Sequence, residues 1–112
     1  MSGCSTHRCK ATKRKYPLQK EIFVDVDGTL FIGGCLNIVL INFLKSKKEE
    51  GFLLVLWSAR GREYAELAAE KSGYRYLFTD VISKPGVIVD DVGWGWINFT
   101  LVMSPFIEDP EL

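Results

Sequence analysis

The chain has few cysteines, no acid at its start and no long apolar run, and each lack excludes a class of protein. Cys4, Cys9 and Cys35 make an odd and sparse set, which argues against the disulfide framework of a small secreted domain and for free thiols. Cys4, His7 and Cys9 do lie close in sequence. A structural zinc, however, takes four protein ligands, and the expected second knuckle is missing. The longest apolar run, residues 35–44, is interrupted by Asn37 and Asn42 and falls far short of the roughly 20 residues that span a bilayer. No membrane segment is expected. The basic N-terminus runs on into polar residues, so no signal peptide is read and a cytoplasmic address is the expectation. The first twenty residues hold no Asp or Glu, yet Arg8, Lys10, Lys13, Arg14, Lys15 and Lys20 supply six of the 14 basic residues. Eight basic residues then face 14 acidic ones in the remainder, so a basic arm precedes an acidic body.

What is present points to one soluble α/β domain. A content of 47% hydrophobic and 25% charged residues over 112 positions suits a single globular core. Residues 1–20 cannot bury enough apolar surface to order themselves and read as a disordered tail. Their charge suits an anionic partner, but the aromatic residues that stack on bases are nearly absent. The single domain is therefore expected over 21–112.

The chain is organised around Ile22-Phe23-Val24-Asp25-Val26-Asp27-Gly28-Thr29-Leu30. The apolar run reads as a strand buried on both faces, stopped abruptly by two carboxylates and a Gly turn. Side chains two apart on a strand share a face, so Asp25 and Asp27 start near each other, and their repulsion calls for a cation or a shared proton. Phe31 to Gly34 reads as a short turn or flap. Asn37 then caps a helix whose apolar face is Val39, Leu40, Phe43 and Leu44, with lysines near its end and Gly51 as terminator. A second strand over 52–57 ends at Ser58-Ala59-Arg60-Gly61, and a helix over 62–71 turns Tyr64, Leu67 and Ala68 inward and stops at Gly73. Further strands are expected at 74–78, at 87–89 running into Asp90-Asp91, and at 99–103, with an acidic tail over 108–112. Strands alternating with helices imply right-handed crossovers and a Rossmann-like open parallel sheet of about five strands. Ligands bind such sheets beyond the carboxyl ends of the strands. Asp25, Asp27, Ser58, Lys84, Asp90 and Asp91 should therefore meet in one crevice. Trp94 and Trp96 either line that crevice or pack beneath the sheet.

Taken in that order, Asp25-Val26-Asp27-Gly28-Thr29, Trp57-Ser58, Ser83-Lys84-Pro85 and Val89-Asp90-Asp91 resemble the four motifs of the haloacid dehalogenase superfamily, and most of all its short, capless members from bacteria and their viruses. The resemblance implies a phosphatase. Asp25 would be the nucleophile that forms an aspartyl-phosphate, and Asp27 the acid and base. Ser58 and Lys84, with Gly28 and Thr29, would bind the phosphoryl group. Asp25, the backbone carbonyl of Asp27 and Asp91, with Asp90 as the alternative ligand, would hold Mg²⁺. Ala59, Arg60 and Arg62 are candidate substrate contacts.

About thirty residues separate Asp27 from Ser58, and about twenty-five separate Ser58 from Lys84. Neither interval holds a cap domain beside the helix it must supply. An open crevice suits a phosphorylated small molecule or a nucleic-acid end, and a homodimer would complete the burial of so small a body. A phospho-receiver domain uses the same residue types, but its acidic pair sits on the first strand and its Lys-Pro on the last, the reverse of the order here. The remaining alternative is a non-catalytic module that binds a nucleotide or phosphorylated ligand in the same crevice.

Overall fold

Residues 16–107 are described by the computed structural model, and they fall into two units: residues 20–86 with 105–107, and residues 16–19 with 87–104. The basic arm through residue 15, with Cys4, His7 and Cys9, and the acidic segment 108–112 lie outside the described residues.

The larger unit is built from β1 (Glu21–Asp25), β2 (Phe31–Ile32), β3 (Cys35–Leu36), α1 (Ile38–Glu49), β4 (Leu53–Ser58), α2 (Arg62–Ser72) and β5 (Asp80–Ser83). Its three-stranded sheet has the order β1-β4-β5 and is parallel throughout. Parallel neighbours need a crossover, and α1 and α2 supply the two here. Both crossovers step in the same direction along the sheet, so a common right-handed sense puts both helices on one face. The burial pattern agrees. Val24, Leu54, Leu56 and Val81 are buried beneath the helices, against Leu40, Ile41, Phe43, Leu44, Ala65, Ala68 and Ala69. Phe23 and Leu53, on the opposite face, remain 44% and 48% exposed. The strands are thus buried on one face, not on both as their apolar content suggests.

Asn37 caps α1, its Oδ1 accepting the Leu40 N–H at 3.2 Å while its Nδ2 donates to the carbonyls of Thr29 at 3.1 Å and Pro105 at 2.9 Å. One side chain thereby ties the helix start to the loop after β1. Asn37→Ala should cost about 2 kcal/mol in chemical denaturation, about half for the cap and the rest for two carbonyls left without a donor. Asn37→Asp keeps the cap acceptor and should recover roughly half of that cost. A loss below about 0.5 kcal/mol for the alanine variant would contradict this account. The packed face of α1 is Leu40, Ile41, Phe43 and Leu44, whereas Val39, assigned to it from the sequence, is 58% exposed.

Helix α2 packs through Ala65, Ala68, Ala69 and Ser72. Small side chains at this spacing bring the helix close to the sheet and leave Leu67, read as inward from the sequence, 70% exposed. Gly73 closes the helix in the left-handed conformation with φ +82°, as the sequence indicates.

Three expected strands take other forms. Residues 74–78 contain a 3₁₀ turn over Arg75–Leu77 that buries Leu77 and Phe78. Arg75 pins this turn by donating to both carboxylate oxygens of Glu66, at 2.8 and 3.2 Å, and to the Phe78 carbonyl at 3.0 Å. The same guanidinium holds the Glu66 carboxyl below its ordinary range. The chain must return to the start of β4 before it can pair, so the third strand is Asp80–Ser83, entered by the Thr79 N–H bond to the Leu54 carbonyl. Residues 87–89 form no strand, and Val87 and Val89 are 82% and 95% exposed. Only Lys84, Pro85 and Gly86 lie between them and β5, too few for the crossover that a parallel neighbour requires. In the smaller unit a 3₁₀ segment occupies Gly93–Phe99, and residues 101–104 find no ladder partner among the described residues. Among the described residues, no helix is long and apolar enough to cross a membrane.

Candidate functional site

Parallel pairing aligns the carboxyl ends of three strands, and the register sets Asp25 beside Trp57 and Ser58 beside Ser83. The residue after Ser83 is Lys84, whose N–H donates to the Ser58 carbonyl at 2.9 Å. Its ammonium extends over the Trp57 ring, 5.8 Å from the centroid, and pairs with Asp25 Oδ1 at 3.3 Å. Both side chains are 36% exposed. A lysine and an aspartate far apart in sequence are thus brought into an ion pair that the sheet topology alone determines.

Beyond Asp25 the chain coils instead of continuing as strand. Backbone bonds from Leu30 to Asp25, from Thr29 and Phe31 to Val26, and from Gly28 to the Phe31 carbonyl close a tight loop. Gly28 turns it at φ +76°, a conformation open to glycine and strained for other residues. Val26 and Leu30 plug the loop into the core, 1% and 0% exposed, and Asp27 stands outward from it. The amides of Gly28 and Thr29 are engaged in closing this loop.

Ser58 is buried, 2% exposed, and its hydroxyl oxygen accepts the Arg60 N–H at 3.0 Å. It does not cap α2, whose N-cap is Gly61. The bond orders the Ser58–Gly61 turn and sends the Arg60 side chain back toward Asp27. The Arg60 guanidinium lies over the Tyr64 ring, 3.9 Å from its centroid, donates to the Tyr64 hydroxyl at 3.1 Å and approaches Asp27 Oδ2 at 3.7 Å. Tyr64 in turn donates to Asp27 Oδ1 at 2.7 Å. Asp27 therefore has a phenol on one oxygen and a guanidinium near the other. Ala59 and Arg62 are exposed beside this turn.

The bond to Asp27 holds the Tyr64 phenol above its ordinary value of 10.0, with desolvation adding to the rise and Arg60 opposing it. A raised value means that the phenol–carboxylate bond contributes its stability fully below pH 10 and loses it as pH climbs through the raised value. The difference between the phenolate titrations of wild type and Tyr64→Phe should have its midpoint above 10, and a midpoint at or below 10 would show the bond absent in solution. Tyr64 is a site residue that the sequence reading assigned to the core. Its position in the first turn of α2 was the available signal, because that turn starts at the carboxyl edge of the sheet, where ligands bind.

A cleft of about 370 Å³ opens beside Asp27 and Tyr64, between the β2–β3 hairpin and α2, with Phe31, Gly34, Leu67 and Lys71 also on its walls. Asp90 and Asp91 belong to the smaller unit, where the Asp90 carboxylate accepts the Val92 N–H at 2.9 Å and shapes a turn. Trp94 and Trp96 belong there too, their rings 6.4 Å apart. Among the described residues no group of three or more His, Cys, Asp or Glu side chains comes together as a metal site. No family model matches the chain, and no curated protein or solved structure matches it either.

Proposed function

We propose that the chain is a capless, haloacid-dehalogenase-like phosphatase that hydrolyses phosphomonoesters through an aspartyl-phosphate on Asp25. The observation that carries this reading is the Lys84–Asp25 pair at 3.3 Å, which sets a fixed cation on the expected nucleophile at the carboxyl edge of a parallel sheet.

In the first step an Asp25 oxygen attacks phosphorus, the bond from phosphorus to the leaving oxygen breaks, and Asp27 gives that oxygen its proton. In the second step water attacks the aspartyl-phosphate and passes its proton to Asp27. Inorganic phosphate leaves, and both carboxyls are restored. Lys84 neutralises charge on the phosphoryl oxygens, and the Ser58 hydroxyl, which accepts from Arg60, still has its own proton to donate. Tyr64 and Arg60 orient the Asp27 carboxylate. The partly exposed Asp25 carboxylate is a hard oxygen donor of the kind Mg²⁺ takes alongside substrate oxygens and water, and the resemblance adds the backbone carbonyl of Asp27 and, from motif order alone, Asp91 or Asp90. When bound, the ion supplies positive charge to the transferring phosphoryl group.

Purified full chain with Mg²⁺ should release phosphate from some member of a broad phosphomonoester panel and lose that activity on chelation. No release across the panel would remove the enzyme reading. The engagement of Asp27 by Tyr64 and Arg60 favours a second reading, a phosphate-binding module without turnover. Calorimetric binding of a nucleotide recovered unchanged would select it.

A further inference from the structure

The cleft beside Asp27 has a floor that folding explains, with Ala68 buried in it, and an upper wall that it does not. Tyr64, Leu67, Ala68 and Lys71 all line it and fall at the i, i+3, i+4 and i+7 positions of one helix face. Leu67 is 70% exposed there, an apolar surface that no packing within the fold uses. Phe31 forms the opposing wall, and the Lys71 ammonium lies 5.5 Å from its ring centroid. Among the described residues no carboxylate lies within ion-pair distance of Lys71. Gly33 and Gly34, in the left-handed region at φ +58° and +82°, have open space where a side chain would stand, which leaves that rim low.

We propose that this cleft receives the leaving group of the phosphomonoester, and that the leaving group is a small apolar or flat body bearing a second anion at its far end. The inference rests on the phosphatase reading. Asp27, the residue that would protonate the leaving oxygen, is itself a wall of the cleft, so the departing group has this space directly before it. Phe31 and Leu67 sandwich its body. Lys71 lies seven residues along the helix from Tyr64, about 10 Å at 1.5 Å per residue, and supplies the charge for the far end while repelling a cationic group. At about 370 Å³ the cleft is of small-molecule size, which favours a low-molecular-weight substrate such as a bisphosphate or a phospho-carboxylate over a nucleic-acid end.

The test uses phenyl phosphate and 4-carboxyphenyl phosphate, which differ only in the second anion. With the full chain and Mg²⁺, Lys71→Glu should raise KM for 4-carboxyphenyl phosphate by about tenfold or more, the scale of one lost charge-assisted bond. Any change in KM for phenyl phosphate, which lacks the second anion, should be several-fold smaller. Lys71→Gln should fall between the two. Lys71 is exposed, so neither substitution threatens folding. Equal KM changes for the two esters, or none, would overturn the inference. If wild type hydrolyses neither ester, the phosphatase reading is decided by the wider panel, and calorimetry of the same two esters decides the cleft. A preference for 4-carboxyphenyl phosphate that Lys71→Glu abolishes upholds it, and the lack of any preference in wild type overturns it.

Discussion

Asp25→Asn is expected to reduce phosphate release by about 10⁴-fold or more, because an amide oxygen cannot replace the attacking carboxylate and removal of a covalent nucleophile has effects on that scale. One control separates chemistry from folding. The Lys84–Asp25 pair is only partly buried, with 36% of each side chain exposed, and such pairs are worth about 1 kcal/mol or less. The variant should therefore unfold close to the wild-type denaturant midpoint. Asp27→Asn should cost about 10²–10⁴-fold, the usual range for a general acid and base, and less for a substrate with a good leaving group, which needs little protonation. Activity within tenfold of wild type in Asp25→Asn would remove Asp25 as nucleophile whatever the panel shows.

Leu56→Ala carries the largest expected stability cost, about 3–5 kcal/mol, at the upper end for a large-to-small change in a rigid core. Leu56 is wholly buried on the central strand, and its ladder neighbours Val24 and Val81 are 3% and 0% exposed. A side chain held by strands on both sides leaves a cavity that neither neighbour can shift to fill. Against a total stability of about 5–15 kcal/mol for a small domain, this loss brings the fold close to collapse. Leu53→Ala on the same strand is the internal control, since Leu53 lies on the opposite face and is 48% exposed. It should cost no more than about 1 kcal/mol, given that about half of its surface stays in water. Equal losses in urea denaturation would mean that both faces of the sheet are covered in solution.

Local signals were legible in the sequence where local physics decides the outcome. Asn37 at the start of α1, Gly73 at the end of α2, and the apolar runs of β1 and β4 all fall where propensity and capping place them. Leu77 and Phe78 misled because a buried pair in a 3₁₀ turn and a buried pair in a strand look alike over so short a run. Val87 to Val89 misled for a different reason: strand composition cannot reveal that three linking residues leave no room for a crossover. At the site, the order of Asp25, Ser58 and Lys84 along the chain indicated their convergence on one sheet edge. Tyr64 and Lys71 were hidden because a helix face that lines a cleft carries the same periodicity as one that packs on a core, and Phe31 because a two-residue strand reads as part of a turn.

The all-parallel ladder also governs how the chain reaches its fold. Glu21 pairs with Leu53, and Val55 with Asp80, so no rung of the sheet joins residues close in sequence. Loop closure must come before any rung can form, which makes sheet formation slow relative to the helices. During synthesis β1 emerges from the ribosome with no mate until β4 has followed it. For that interval its apolar run is exposed to chaperones and to other nascent chains.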